Sequence, residues 1–286
     1  MFSKIKERLF NTDNKRGWLI SPYLLIALLL IILPIILIIV SAFAPLKTPN
    51  GSTSDNWELL KTYSTWSIIF RSLRIGIVSS ILCLVVGFPY AYFVSSSKSK
   101  IFKIYAISLI LSPMAIFTIA RIYSIRTLFL NIIDPNNVDS LNSEWFLVFG
   151  LFYLNLPLMI MPLYTVLKDM PRNIIEASSD MGYNTFKTVF KVIIPYSLKA
   201  ILSGYSMIFL STATTFLVST KLLPDGTQNQ MVGDLINITI NPGNKYDLAK
   251  GSSLVIVVSF IFIGIYSIII IAPKIIFRFK RGFTYE

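Results

Sequence analysis

The sequence predicts an all-α integral membrane protein with six transmembrane helices, and three observations carry that reading. Of 286 residues, 54% are hydrophobic and only 14% charged, whereas an ordinary soluble domain carries roughly 25% charged residues. Six apolar stretches, about 18–44, 68–95, 101–124, 145–167, 196–219 and 251–273, reach the roughly 20 residues that a helix needs to cross about 30 Å of hydrocarbon. Third, the positive charge is lopsided. With the N-terminus placed in the cytoplasm, the inner segments hold 17 of the 26 Lys and Arg residues but six of the 14 acids. The basic segment 1–17 and the basic tail 274–286 are therefore both expected in the cytoplasm, flanking one six-span domain over 18–273.

The first span follows Lys4, Lys6, Arg8, Lys15 and Arg16, and its Ala42-Phe43-Ala44 resembles a signal-peptide cleavage site. Its apolar run exceeds the roughly 7–15 residues of a signal core, so it is expected as a retained anchor. In the second span Arg71 and Arg74 lie three apart on one face, placed to snorkel to the outer headgroups. The third ends in "TIARIYSIR". There Arg121 is placed to face a translocation path or bond between helices, with Tyr123 beside it. Pro22, Pro34, Pro89, Pro113, Pro157 and Pro162 fall inside the first four spans, where each frees a backbone carbonyl and marks either an ordinary kink or packing against protein or a cavity. No acid lies in the middle of any span. The outer connections, about 45–67, 125–144 and 220–250, carry the turn chemistry. Asp234, in the last of them, is either a solvated loop acid or a guide for a cationic solute.

Several function classes drop out. Cys83 is the only cysteine and histidine is absent, which removes an internal disulfide, a cysteine metal cluster and the commonest proton relay, and leaves no metal site. A net charge of +12 would suggest nucleic acid in a soluble protein, but its distribution is that of a membrane protein with no nucleic-acid partner. There is no G-x4-G-K-[ST] phosphate loop, and "LSGYS" at 202–206 lacks the glycine pair of an ABC signature, so the chain is not expected to hydrolyse ATP. No internal repeat supports an inverted-repeat carrier.

The segment 168–195 is the one polar, structured-looking insertion. Asn173 is placed to cap a helix with Glu176 as its third residue, Gly182 to end that helix after Met181, and Asn184 or Thr185 to start a second one. Ile174, Ala177, Ser178 and Met181 recur at helical spacing. In the second helix Phe186, Val189, Phe190 and Ile193 lie opposite Lys187 and Lys191, and Pro195 marks entry to the fifth span. On residues alone this is either a compact knob or an amphipathic interfacial loop.

Glu176-Ala177-Ser178, three residues, Gly182, nine residues, Val192, one residue, Ile194-Pro195 resembles the E-A-A-x3-G-x9-I-x-L-P loop of ABC-importer permease subunits. Ser178 is the one polar departure. "RSLRIGIVSSILCLVVGFPYAYFVS", "SPMAIFTIARIYSIRTLF" and "LPLMIMPLYTVLKDMPRNIIEAS" resemble spermidine/putrescine importer permeases, over about 18–275. The resemblance implies a type I ABC-importer permease architecture in the plasma membrane. It also implies a coupling helix in which Glu176, Ala177, Ser178, Met181, Gly182 and Pro195 meet an ATPase. Its further implications are a second six-span permease, two ATP-binding subunits carrying ATP and Mg, an external binding protein and a polyamine cargo. This chain itself would bind no cofactor. Related permeases for iron, sulfate, molybdate and phosphate share the loop, so the solute stays open among them. An ion-gradient carrier or channel, or a non-transport scaffold or insertase, are the rival classes.

Overall fold

The computed structural model describes residues 22–46, 55–133, 139–225, 229–241 and 243–282, with side chains as far as residue 271 and at Pro273. The basic segment 1–17 and the opening residues of the expected first span lie outside the described residues, as do residues 47–54 and the last four residues. Every regular element described is helical: α1 (Pro22–Phe43), α2 (Glu58–Lys61), α3 (Tyr63–Ser96), α4 (Lys100–Ala115), α5 (Thr118–Ile132), α6 (Glu144–Lys168), α7 (Arg172–Asp180), α8 (Thr185–Ala213), α9 (Val218–Leu222), α10 (Val232–Thr239) and α11 (Lys245–Gly282). Five of them, α1, α3, α6, α8 and α11, are long and apolar enough to cross a membrane, and α4 with α5 would make a sixth.

The expected continuous third span does not form. Pro113 lies in a 3₁₀ turn, Ser112–Ala115, Ile116 is extended at φ −92° and ψ 139°, and α5 leaves at 100° to α4. A proline removes a ladder donor and the tight turn after it ends the α-helical ladder. Pro89, Pro157 and Pro162 each give up a ladder donor yet sit inside unbroken helices. Pro195 lies in the first turn of the regular α-helix that begins at Ile194, and helical structure already precedes it from Thr185. Two five-residue π turns, Leu28–Ile32 and Val189–Ile193, each end two residues before a proline, Pro34 and Pro195. The wider turn moves away the carbonyl that the proline ring would otherwise strike.

The described chain forms two compact units, one of residues through Lys61 with Thr239–Val257, the other of Thr62–Ile238 with the chain from Val258 on. In the first, the Asn56 amide donates to the carbonyls of Ala42 (3.0 Å) and Ala44 (2.8 Å), and Ser253 Oγ donates to the Asn56 carbonyl at 2.6 Å. The Phe43 and Trp57 rings pack at a tilt of 56° with centroids 5.2 Å apart. These bonds tie the end of α1 to the start of α11. Around α1 itself, Leu24, Ile31, Ile36 and Val40 are all exposed, as suits a helix whose solvent is lipid.

In the second unit α3, α6 and α8 pack on one another. Small residues set the approach: a Cβ on Gly76 would stand 3.2 Å from that of Ala213, and one on Gly204 would stand 2.8 Å from Met159 Sδ. Two buried hydroxyls are satisfied on their own helices, Ser80 donating to Gly76 O at 2.7 Å and Thr212 to Ile208 O at 2.8 Å. Between helices, Ser211 Oγ donates to Asn155 Oδ1 at 3.2 Å, tying α8 to α6.

Candidate functional site

At the end of the bundle where α3 and α6 terminate, α7 and the first turns of α8 form a compact knob around Gly182. Its start differs from expectation. Pro171 takes the cap position and its carbonyl accepts from the Ile174 N–H at 3.3 Å, so Asn173 lies inside the helix and caps nothing with Glu176. The end is as expected. Gly182, at φ +77°, donates to Ser179 O at 2.9 Å while the Tyr183 N–H reaches Ser178 O at 3.2 Å, the paired bonds of a Schellman ending. Asn184 then caps α8, its side chain accepting from the Lys187 N–H at 2.9 Å.

The four residues that spacing groups together do not share one environment. Ser178 is fully buried, its hydroxyl 2.8 Å from that of Thr188. Ile174 and Ile175 pack with Val189 and the buried Leu167, Met170 and Ile193. Glu176 and Ala177 face outward, with Met181 63% exposed, and a Cβ on Gly182 would touch nothing within 4 Å. Lys191 Nζ lies 5.3 Å from the centre of the Tyr183 ring, holding the residue after the turn. Pro195 is exposed on α8. The knob is therefore an outward patch of Glu176, Ala177, Met181 and Gly182 on a buried hydroxyl pair. Ser178→Ala is expected to cost about 1 kcal/mol by stranding the Thr188 hydroxyl, and the double variant with Thr188→Val to recover most of it. Thermal melts of the four chains check this, and a neutral single variant would remove the pair from the account.

At the opposite end of α3, Arg71 and Arg74 do not simply reach outward. Both engage Glu144 at the start of α6, Arg71 Nε at 3.4 Å and Arg74 Nη2 bonded to the carboxylate, beside a recess of about 560 Å³ walled by Tyr63, Trp66 and Phe70.

The three path candidates are not brought together by any described contact. Arg121 donates from Nη2 to Thr118 Oγ1 at 3.2 Å on its own helix, while its Nε and Nη1 are buried without a partner. Tyr123 is 43% exposed. Asp234 is no solvated loop acid, being 1% exposed. Its Oδ2 accepts from the Ser219 hydroxyl and from the Met231 N–H at 3.0 Å, so it caps α10 from within. The Val232 N–H donates to Ser72 Oγ at 2.8 Å, pinning that turn to α3. Ser72, Ser219 and Met231 escape sequence reasoning because a methionine in the cap position hides the box.

Burial raises the Asp234 carboxyl above its ordinary value, partly offset by the Ser219 and Met231 bonds. The folded chain then holds this proton more tightly than the unfolded chain, so stability falls as pH rises from the ordinary carboxylate range through the raised value. Asp234→Asn is expected to lack that fall. Melts of the two chains should diverge increasingly with rising pH, and a constant gap would contradict the shift.

No family model matches the chain. It is 31% identical over 274 residues to the spermidine/putrescine transport system permease protein PotB homolog of Mycoplasma genitalium, covering 92% of this chain and 94% of that one. To PotB of Escherichia coli it is 27% identical over 241 residues, 78% and 82% of the two chains. Among solved structures, a bacterial ABC transporter involved in the import of the acidic polysaccharide alginate superposes with a TM-score of 0.62 at 17% identity, over 94% of this chain and 96% of that one. The MetNI methionine ABC transporter, in an inward-facing form, does so at 0.51 and 18%, over 74% and 96%. These two show the fold.

Proposed function

Because the chain belongs to the family of spermidine/putrescine transport permeases, we propose that it is the polyamine-conducting permease of an ATP-driven importer and receives its drive through α7. It is a multi-pass plasma-membrane protein and an importer subunit. In our reading both termini are cytoplasmic, α4 and α5 together count as the third of six spans, and ATP with Mg is bound and hydrolysed on two partner subunits. A second six-span permease completes the pore and an external binding protein delivers the solute.

The observation that supports this best is the outward patch of Glu176, Ala177, Met181 and Gly182 on a helix tied rigidly to α8. Small residues allow close approach of a partner surface. The Ser178–Thr188 contact passes displacement of α7 into α8, an unbroken 29-residue helix. From there the close crossings at Gly76, Gly204 and Asn155 pass it to α3 and α6. A docked helix of about two turns gains roughly 5 kcal/mol gross at about 25 cal/mol per Å² before association costs. Stable attachment therefore needs both permeases to dock at once.

For a polyamine, Tyr and Phe faces supply cation–π contacts where no mid-span acid is present. Asp234 is assigned to holding the α10 turn, and Arg121 and Tyr123 to the wall of the path. Reconstituted importer loaded with ATP should take up labelled spermidine and putrescine, with sulfate and phosphate failing to compete. Uptake driven by an ion gradient without ATP would reject the importer; competition by an oxyanion would reject the cargo alone.

A further inference from the structure

Beside α7, four helix ends meet around a recess of about 260 Å³. Ser95 and Ser96 come from the end of α3, Lys103 from the first turns of α4, Lys168 from the end of α6, and Arg172 and Glu176 from α7. Lys103 is fixed, its Nζ donating to the Ser95 carbonyl at 2.8 Å. Lys168 and Arg172 are exposed, and among the described residues neither they nor Glu176 form an ion pair. Three cations, one carboxylate and two serines thus line a small recess, the Ser95 hydroxyl already donating to the Tyr92 carbonyl at 2.9 Å, and the net positive charge calls for an anion. Arg and Lys ends with the Ser96 hydroxyl are the kind of donor set that a phosphate oxygen accepts from.

We propose that this recess binds a phosphate group, and that the group is the headgroup phosphate of an anionic phospholipid. The recess opens where three apolar helices end, the level at which headgroups lie, and buried Leu167 and Met170 with Tyr92 give it an apolar wall that a free ion does not need. The occupant bridges α3, α4 and α6 to α7, fixing the base on which the knob stands.

The test uses the full chain in neutral detergent, with phosphatidylglycerol, phosphatidylcholine or inorganic phosphate added, read by native mass spectrometry and by melting temperature. Phosphatidylglycerol should be retained and raise the melting temperature, while phosphatidylcholine should not. The Lys168→Gln/Arg172→Gln chain should bind it about 25-fold more weakly, at about fivefold for each positive charge near an anionic headgroup. It should melt as wild type without lipid, since both side chains are exposed. Lys98→Gln/Lys100→Gln, outside the recess, should keep wild-type affinity. Equal losses in both double variants would mean a diffuse basic surface and overturn the site. Equal retention of phosphatidylcholine would do the same. Protection by inorganic phosphate but not by lipid would keep the phosphate chemistry and overturn the lipid source. Binding here needs no ATPase, so its failure leaves the importer reading untouched.

Discussion

A chain carrying Gly182→Asp is expected to insert, pack its helices and import nothing. At φ +77° a side chain pays about 1 kcal/mol in backbone strain, and aspartate tolerates that region better than most. A Cβ there meets nothing within 4 Å, so no internal clash is added. The fold should therefore lose little. What changes is the patch, where a third carboxylate joins Glu176 and Asp180 on a surface built for close approach. Gly182→Ala should retain most uptake, whereas Gly182→Asn, with the same bulk and no charge, should fall between. Uptake per inserted chain is the measurement, and normal transport by the aspartate variant would sink the coupling assignment.

Gly233→Ala is expected to fail in the opposite way, by loss of the fold. A Cβ at Gly233 would stand 2.7 Å from the Thr214 carbonyl oxygen and 2.8 Å from the Thr215 carbonyl carbon. Backbone cannot rotate aside as a flexible side chain would. Overpacking costs about 1–3 kcal/mol, and the shift lands on the turn whose Met231 and Val232 amides bond Asp234 and Ser72. Melting temperature and uptake should drop together, whereas Gly182→Asp should lose uptake at a nearly unchanged melting temperature. A wild-type melt for Gly233→Ala would show that the turn does not sit against residues 214–215.

Hydropathy reads composition, and so it finds the apolar stretches that form α1, α3, α6, α8 and α11. It could not see the break at Ile116, which is a matter of two backbone angles after a proline-bearing turn. Gly182 and Asn184 were legible because a left-handed ending and an N-cap are local chemistry. Asn173 misled because Pro171, two residues earlier, supplies the cap geometry first. The inward turn of Ser178 depends on Thr188 across the knob, a partner that helical spacing within α7 does not reveal. The π turn before Pro195 was equally hidden, since nothing in "VFKVI" distinguishes it from an α-helix. Asp234 reads as a loop acid in sequence because its partners come from α9 and from the turn before α10.

In the importer reading, α7 is gripped by an ATP-binding subunit. Cys83, the only cysteine, is buried, so Met181→Cys places one exposed thiol on the patch. The measurement is cross-linking of that thiol in membranes containing the whole importer, with and without ATP. Expected are a cross-link to the ATP-binding subunit whose yield changes with ATP, and protection of the thiol from a water-soluble maleimide. A thiol that labels freely in a transporting complex and cross-links to nothing would contradict it.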